Sequence, residues 1–297
     1  MMRSFLMVLS VLLIAVQAQA AEWKRLIEAA DLAALTEQVT ILDIRAPAKY
    51  AAGHVPGALN APYPTWRGPR SNPGRALDDD ALTDRLQSLG LTPGDAVVVT
   101  YQGTSATDFG SAARVYWTLK SAGLRRIAIL NGGVTAWQQA GKPLSNVLVT
   151  APPSTAEFTL ADDWMITREG VRAVVDGRAD AQIVDARPLP FLKGKRKHSA
   201  AKAAGTIEGA AQVTHSTWFA GNGKNRISSA ADVIRLAREA GVEDGTRRPV
   251  ASFCNTGHWA ATNWFALSEL AGIENVKLYP ESMVGWTNAD QPTVVTE

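Results

Sequence analysis

One plan occurs twice along this chain. An apolar run ending in Asp-x-Arg appears as Ile41-Leu42-Asp43-Ile44-Arg45 and returns as Ile183-Val184-Asp185-Ala186-Arg187. A glycine-bracketed turn follows each run. It reads Gly53-His54-Val55-Pro56-Gly57-Ala58 in the first half and, beyond a longer insert, Gly205-Thr206-Ile207-Glu208-Gly209-Ala210 in the second. Each half continues with an amphipathic stretch (80–89 and 229–240) and a second apolar strand (Val97 to Tyr101, Val250 to Phe253). Each closes on a short strand, a turn and a tryptophan, Trp137 or Trp286. A steady offset of about 140 to 150 residues between like segments marks a duplicated domain.

Duplication restricts the architecture, because each copy must bury its own core. Short apolar strands that alternate with helical stretches predict an α/β fold: two domains, each a mainly parallel sheet flanked by helices on both faces. The expected division is 21–150 for the first domain, 151–163 for a linker and 164–297 for the second. Pro152 and Pro153 exclude helix and central strand at the linker's start. In sheets of this kind ligands sit beyond the carboxyl ends of the strands.

Residues 1–20 stand apart. Arg3 precedes an apolar run broken only by Ser10, and Ala18-Gln19-Ala20 is a small-x-small cleavage pattern. This predicts a cleaved export signal, a mature chain from Ala21, a periplasmic or secreted location and no stable membrane insertion after cleavage. The chain is 46% hydrophobic and 20% charged, which argues against disorder and against a membrane bundle. Its formal charge is +2, and its cations are dispersed except at Lys193-Gly194-Lys195-Arg196-Lys197. A nucleic-acid partner is therefore not expected.

There is one cysteine, Cys254. In an exported protein a lone thiol cannot pair internally and is open to oxidation, which invites a functional explanation. The competing reading is a buried structural cysteine. Context favours function. Cys254 directly follows the strand 250–253 and opens the loop Cys254-Asn255-Thr256-Gly257-His258-Trp259-Ala260, after which a helix is expected over 261–271. Unpartnered amides at a helix start favour an anion and so a thiolate. Gly257 lets the backbone curl around the sulfur.

That loop resembles the Cys-x-x-Gly-x-x-Ala active loop of rhodaneses. The Asp-x-Arg runs resemble the family's first signature, Gly53 to Ala58 its Gly-His-Ile-Pro-Gly-Ala pattern, and Asn131-Gly132-Gly133 with Trp137 a further piece. The resemblance is to a tandem-domain rhodanese and covers nearly all of the chain after residue 20. It implies a sulfurtransferase in which Cys254 takes sulfur from a small anionic donor, thiosulfate or mercaptopyruvate, as a persulfide. The sulfur then passes to cyanide, a thiol or a protein acceptor. No metal or organic cofactor is implied. The resemblance also implies a substrate-binding role for Arg187, structural support from Asp185, and a first domain without a nucleophile, in which Gln102 is read as the counterpart of Cys254.

Departures from the family's pattern leave alternatives. His258 either adds positive charge for an anion or faces water at the helix start. Trp259 either walls the pocket or anchors the core. Phe191 lies near the place where tandem rhodaneses often carry a substrate-binding arginine, and Lys195 in the basic insert is a replacement cation if that loop reaches the cleft. Asp43, Arg45 and His54 read as scaffold. A phosphatase of this fold would carry arginine at the sixth position after the cysteine, where this chain has Ala260. A non-catalytic persulfide carrier or redox-sensing binder would use the same loop.

Overall fold

A computed structural model describes residues 23–219 and 225–296. The expected leader, 1–20, lies outside the described residues. The first half contains β1 (Leu26–Ile27), β2 (Thr40–Asp43), β3 (Leu59–Asn60), β4 (Ala96–Thr100) and β5 (Arg126–Leu130), in the order β1-β5-β4-β2-β3. The second contains β6 (Gln182–Asp185), β7 (Ala211–Gln212), β8 (Val250–Phe253) and β9 (Val276–Leu278), in the order β7-β6-β8-β9. The pairings within both sheets are parallel. The place of β1 is taken in the second half by a single bridge, Met165 to Leu278.

Alternation along a strand explains why both faces of the first sheet are covered. Leu42, Val97, Val99, Ile127 and Ile129 enter one core, and Ile41, Val98, Ala128 and Leu130 enter another on the opposite face. This is the α/β arrangement the sequence predicts. Strand register also gives an objective match between halves. Asp43 pairs with Thr100 as Asp185 pairs with Phe253. The next carbonyls confirm it, since Tyr101 accepts from the Val134 amide as Cys254 accepts from that of Met283. The counterpart of Cys254 is therefore Tyr101, and the expected Gln102 is one residue too far. Both strands are buried along their whole length, so only their partners reveal the slip.

The Asp-x-Arg runs are buried clamps. Arg187 forks onto Asp185 through Nε and Nη2, at 2.9 and 2.6 Å, and Nη2 also donates to the Gly205 carbonyl at 2.8 Å. Arg45 holds Asp43 and the Gly53 carbonyl in the same way. Each clamp ties a strand end to the glycine turn after it. In the first half His54 finishes the turn, stacked on Tyr50 and bonded to the Tyr50 and Val147 carbonyls. In the second half Thr206 donates to Asp185 at 2.7 Å instead. A substrate-binding role for Arg187 does not fit this placement: its side chain is 2% exposed, and its Nε and Nη2 are held by Asp185 and the Gly205 carbonyl.

The halves share one core. The helix Ala106–Ser121 packs on the helix Trp259–Trp264, which widens into a π-helical stretch at Phe265–Leu270 where the sequence predicts an uninterrupted helix. Phe109 meets Phe219 and Phe265 edge-on, and Tyr116 meets Phe265. Glu269, at the edge of this seam, is held by Tyr116, Lys120 and Arg25. Replacing Arg187 with alanine strands the Asp185 carboxylate at 0% exposure. Arg187→Ala is expected to cost about 3–5 kcal/mol, read as a lower urea midpoint.

Candidate active site

Cys254 is the first residue beyond β8, at the carboxyl edge of the second sheet. The loop after it ends where the Trp259–Trp264 helix begins. Gly257 has φ +66°, and a Cβ there would lie 2.4 Å from Arg114 Nη1 and 2.5 Å from the Pro280 carbonyl oxygen. Backbone conformation and close approach both demand glycine at this point.

The loop is hung from a serine that sequence reading missed. Ser282 Oγ accepts from the amides of Cys254 and Gly257, both at 3.0 Å, and donates to the Tyr279 carbonyl at 2.9 Å. Two amides that bracket the loop are thus committed to a hydroxyl, and those of Asn255 and Thr256 lie between the anchors. Ser282 is buried and has φ +51°, a left-handed conformation that L-residues with side chains rarely adopt. Its counterpart in the first half is Gly133, at φ +58°. The duplication held the signal: a serine standing where the repeat needs glycine.

A polar strap from the first half closes over the loop. Arg67 donates through Nη2 to the Thr256 carbonyl and through Nη1 to the Tyr63 hydroxyl, each at 2.7 Å. His258 pairs through Nδ1 with Tyr63 Oη at 2.9 Å and through Nε2 with the Thr107 carbonyl at 2.7 Å. A carbonyl only accepts, so Nε2 carries the proton and Nδ1 accepts from the tyrosine. Burial, with help from the nearby Arg67, pushes the His258 pKa down to about 3. The imidazole is therefore neutral near pH 7 and does not supply the positive charge that one sequence reading assigned it. That charge comes from Arg67 and Arg114, on elements of the first half that carry no motif.

Trp259 lies over the ring of His215, with centroids 4.6 Å apart and planes 4° from parallel, and meets Phe191 edge-on at 5.8 Å. Burial lowers the His215 pKa to about 4. Phe191 in turn lies under the guanidinium of Arg196. The aromatic stack joins the root of the basic insert to the cysteine loop, while Lys195 itself is exposed. Cys254 is 1% exposed, lodged at the seam of the two halves. A cleft of ≈ 370 Å³ lined by Tyr63, Tyr101, Gln102, Thr107 and His258, among others, reaches the flank of the loop.

Two imidazoles, His215 buried and His258 half-buried, have a measurable consequence. In the unfolded chain they protonate near the ordinary 6.5, whereas in the folded protein they resist protonation until about 4 for His215 and about 3 for His258. The unfolded state therefore binds more protons as pH falls below 6.5. Their contribution to stability is expected to be complete above pH 6.5 and to decline progressively toward pH 4. Urea midpoints between pH 4.5 and 8 check this, and His258→Gln should flatten the acid side.

Comparison with known proteins agrees with the geometry. The model of the rhodanese-like domain matches the chain twice, over residues 21–140 and 169–289. A protein of Azotobacter vinelandii named thiosulfate sulfurtransferase is 30% identical over 266 residues, covering 88% of this chain and 93% of its own length. One of the same name from Pseudomonas aeruginosa is 30% identical over 274 residues, covering 91% and 96%. Among solved structures, the anaerobic ergothioneine biosynthesis enzyme from Chlorobium limicola, in complex with trimethyl histidine, aligns with a TM-score of 0.79 at 19% identity. The alignment covers 92% of this chain and 70% of that one, a likeness of fold. With two matched domains, paired Asp-x-Arg clamps and a cysteine loop at the edge of the second sheet, the chain belongs to the rhodanese family.

Proposed function

We propose that the protein is a sulfurtransferase that carries sulfur on Cys254 and accepts it from a small anionic donor, with thiosulfate first and mercaptopyruvate second. The observation that carries this reading is the setting of one thiol. It follows a sheet strand, its loop is pinned at both ends by Ser282, and the first half faces that loop with two guanidinium groups. The relatives named thiosulfate sulfurtransferase support the same class of reaction.

In this reading the Cys254 thiolate attacks the outer sulfur of thiosulfate. The donor's S–S bond breaks, and sulfite leaves with the electron pair. The enzyme keeps the persulfide Cys254–S–S⁻, for which the Asn255 and Thr256 amides are the nearest backbone donors along the loop. Cyanide, a thiolate or a protein thiol then attacks the outer sulfur, and the cysteine thiolate is the leaving group. Two half-reactions through one covalent intermediate give ping-pong kinetics. Because Cys254 is 1% exposed, a donor entering by the cleft requires the Tyr63–His258 pair to shift. The exposed cations of the basic insert would draw anions toward that side. Residues 1–20 direct export in this reading, and no helix among the described residues is long and apolar enough to cross a membrane.

Mass spectrometry after incubation with thiosulfate, with mercaptopyruvate in parallel, is expected to show a gain of one sulfur on the peptide containing Cys254. Cyanide should remove it, and Cys254→Ala should show neither the gain nor turnover. Wild-type turnover in that variant ends the proposal. Ser282→Gly accommodates the left-handed backbone but releases both loop anchors. It is expected to melt within about 5 °C of wild type while losing turnover by about 100-fold, because a small displacement of a reacting group is expensive in rate.

A further inference from the structure

We infer that the first domain supplies a fixed counter-charge to the sulfur of the second: the buried guanidinium of Arg114 faces the cysteine loop and offsets the negative charge that a reacting sulfur or an anionic reagent brings there. The inference rests on Cys254 being the reactive group, and it gives the domain without a nucleophile a specific electrostatic task.

The geometry begins with the helix Ala106–Ser121. Gly110 touches the loop so closely that a Cβ there would lie 2.8 Å from the His258 carbonyl oxygen. Arg114 is four residues further on, so it rises from the same helix face. Its Nη1 occupies the space that a side chain at Gly257 would need. Two glycines, one from each half, are therefore what allows the guanidinium to reach the loop.

Arg114 is 0% exposed. Its Nη2 donates to the Gly74 carbonyl at 2.9 Å, and its guanidinium lies 4.9 Å from the ring centroid of Trp117. Nε and Nη1 are buried without a hydrogen-bond partner. A buried cation with idle donors is costly unless an anion offsets it. Among the described residues no carboxylate pairs with it; its charged or ionisable neighbours are Arg67, Tyr63, Cys254 and the neutral imidazole of His258. Arg67 repels it, and burial raises the pKa of Tyr63, so the tyrosine stays neutral. Sulfur is left as the source of negative charge, either as thiolate or as the outer atom of a persulfide. Burial brings the Arg114 pKa down to about 9, which still leaves it protonated at neutral pH.

Alkylation of Cys254 in the full-length protein tests this without any sulfur donor, and so separately from persulfide transfer. Iodoacetate and iodoacetamide are nearly the same size but differ in charge. The ratio of their rates at one pH cancels access to the buried thiol and reports the local potential. Relative to N-acetylcysteine, the wild-type protein is expected to favour iodoacetate. Arg114→Gln, which can keep a donor for the Gly74 carbonyl, should lower the ratio about tenfold, and Arg114→Lys should retain most of it. A wild-type ratio in folded Arg114→Gln overturns the inference. If the glutamine variant does not fold, Arg114→Lys decides: retention of the preference supports the counter-charge, and a ratio equal to that of N-acetylcysteine overturns it.

Discussion

The contact between the helix Ala106–Ser121 and the loop that starts at Cys254 is the constraint on which the rest of this structure depends. It is made at Gly110 and Gly257, where backbone and guanidinium approach too closely for any side chain between them. The aromatic seam of Phe109, Tyr116 and Phe265 continues the same surface into the core. Burying apolar area across that seam is what brings Arg67, Arg114 and Tyr63 to a thiol that belongs to the other half. The domains are duplicates in plan, yet the site is a property of their union.

Comparison of the two copies shows how little the scaffold changed while the chemistry diverged. Both keep an Asp-x-Arg clamp that locks strand to turn. Both end with a tryptophan whose indole donates to a proline carbonyl, Trp137 to Pro143 and Trp286 to Pro292. The differences cluster where the second strand ends. Tyr101 stands opposite Cys254, and Gly133 opposite Ser282. A left-handed turn built for glycine has been given a hydroxyl, and that hydroxyl anchors the loop which carries the sulfur. Strain tolerated at one backbone position is thus linked directly to the shape of the site.

Charge follows the same division. The loop itself has no cation at neutral pH, because His258 is held as a neutral imidazole between a tyrosine hydroxyl and a carbonyl. Positive charge arrives from the neighbouring domain, on guanidinium groups fixed by carbonyl oxygens at Thr256 and Gly74. The imidazole and the phenol are the neutral part of the strap, and they hold Arg67 against the loop.

The linear chain by itself determined the duplication, the parallel α/β sheets and the place of Cys254 at a strand's end, because all three are written in periodicity and in local motifs that need no distant partner. The clamp role of Asp43 and Arg45 was legible for the same reason. Register was less secure: Gln102 in place of Tyr101 is the slip expected when two apolar strands are compared without their neighbours. Arg187 looked like a substrate residue until its burial against Asp185 showed a closed ion pair. Arg67, Arg114, Tyr63 and Ser282 were settled by tertiary structure alone. Ser282 reaches the cysteine through the fold of its own domain, whereas Arg67, Arg114 and Tyr63 lie far away in sequence, and only the packing of one domain on the other makes them neighbours of the loop.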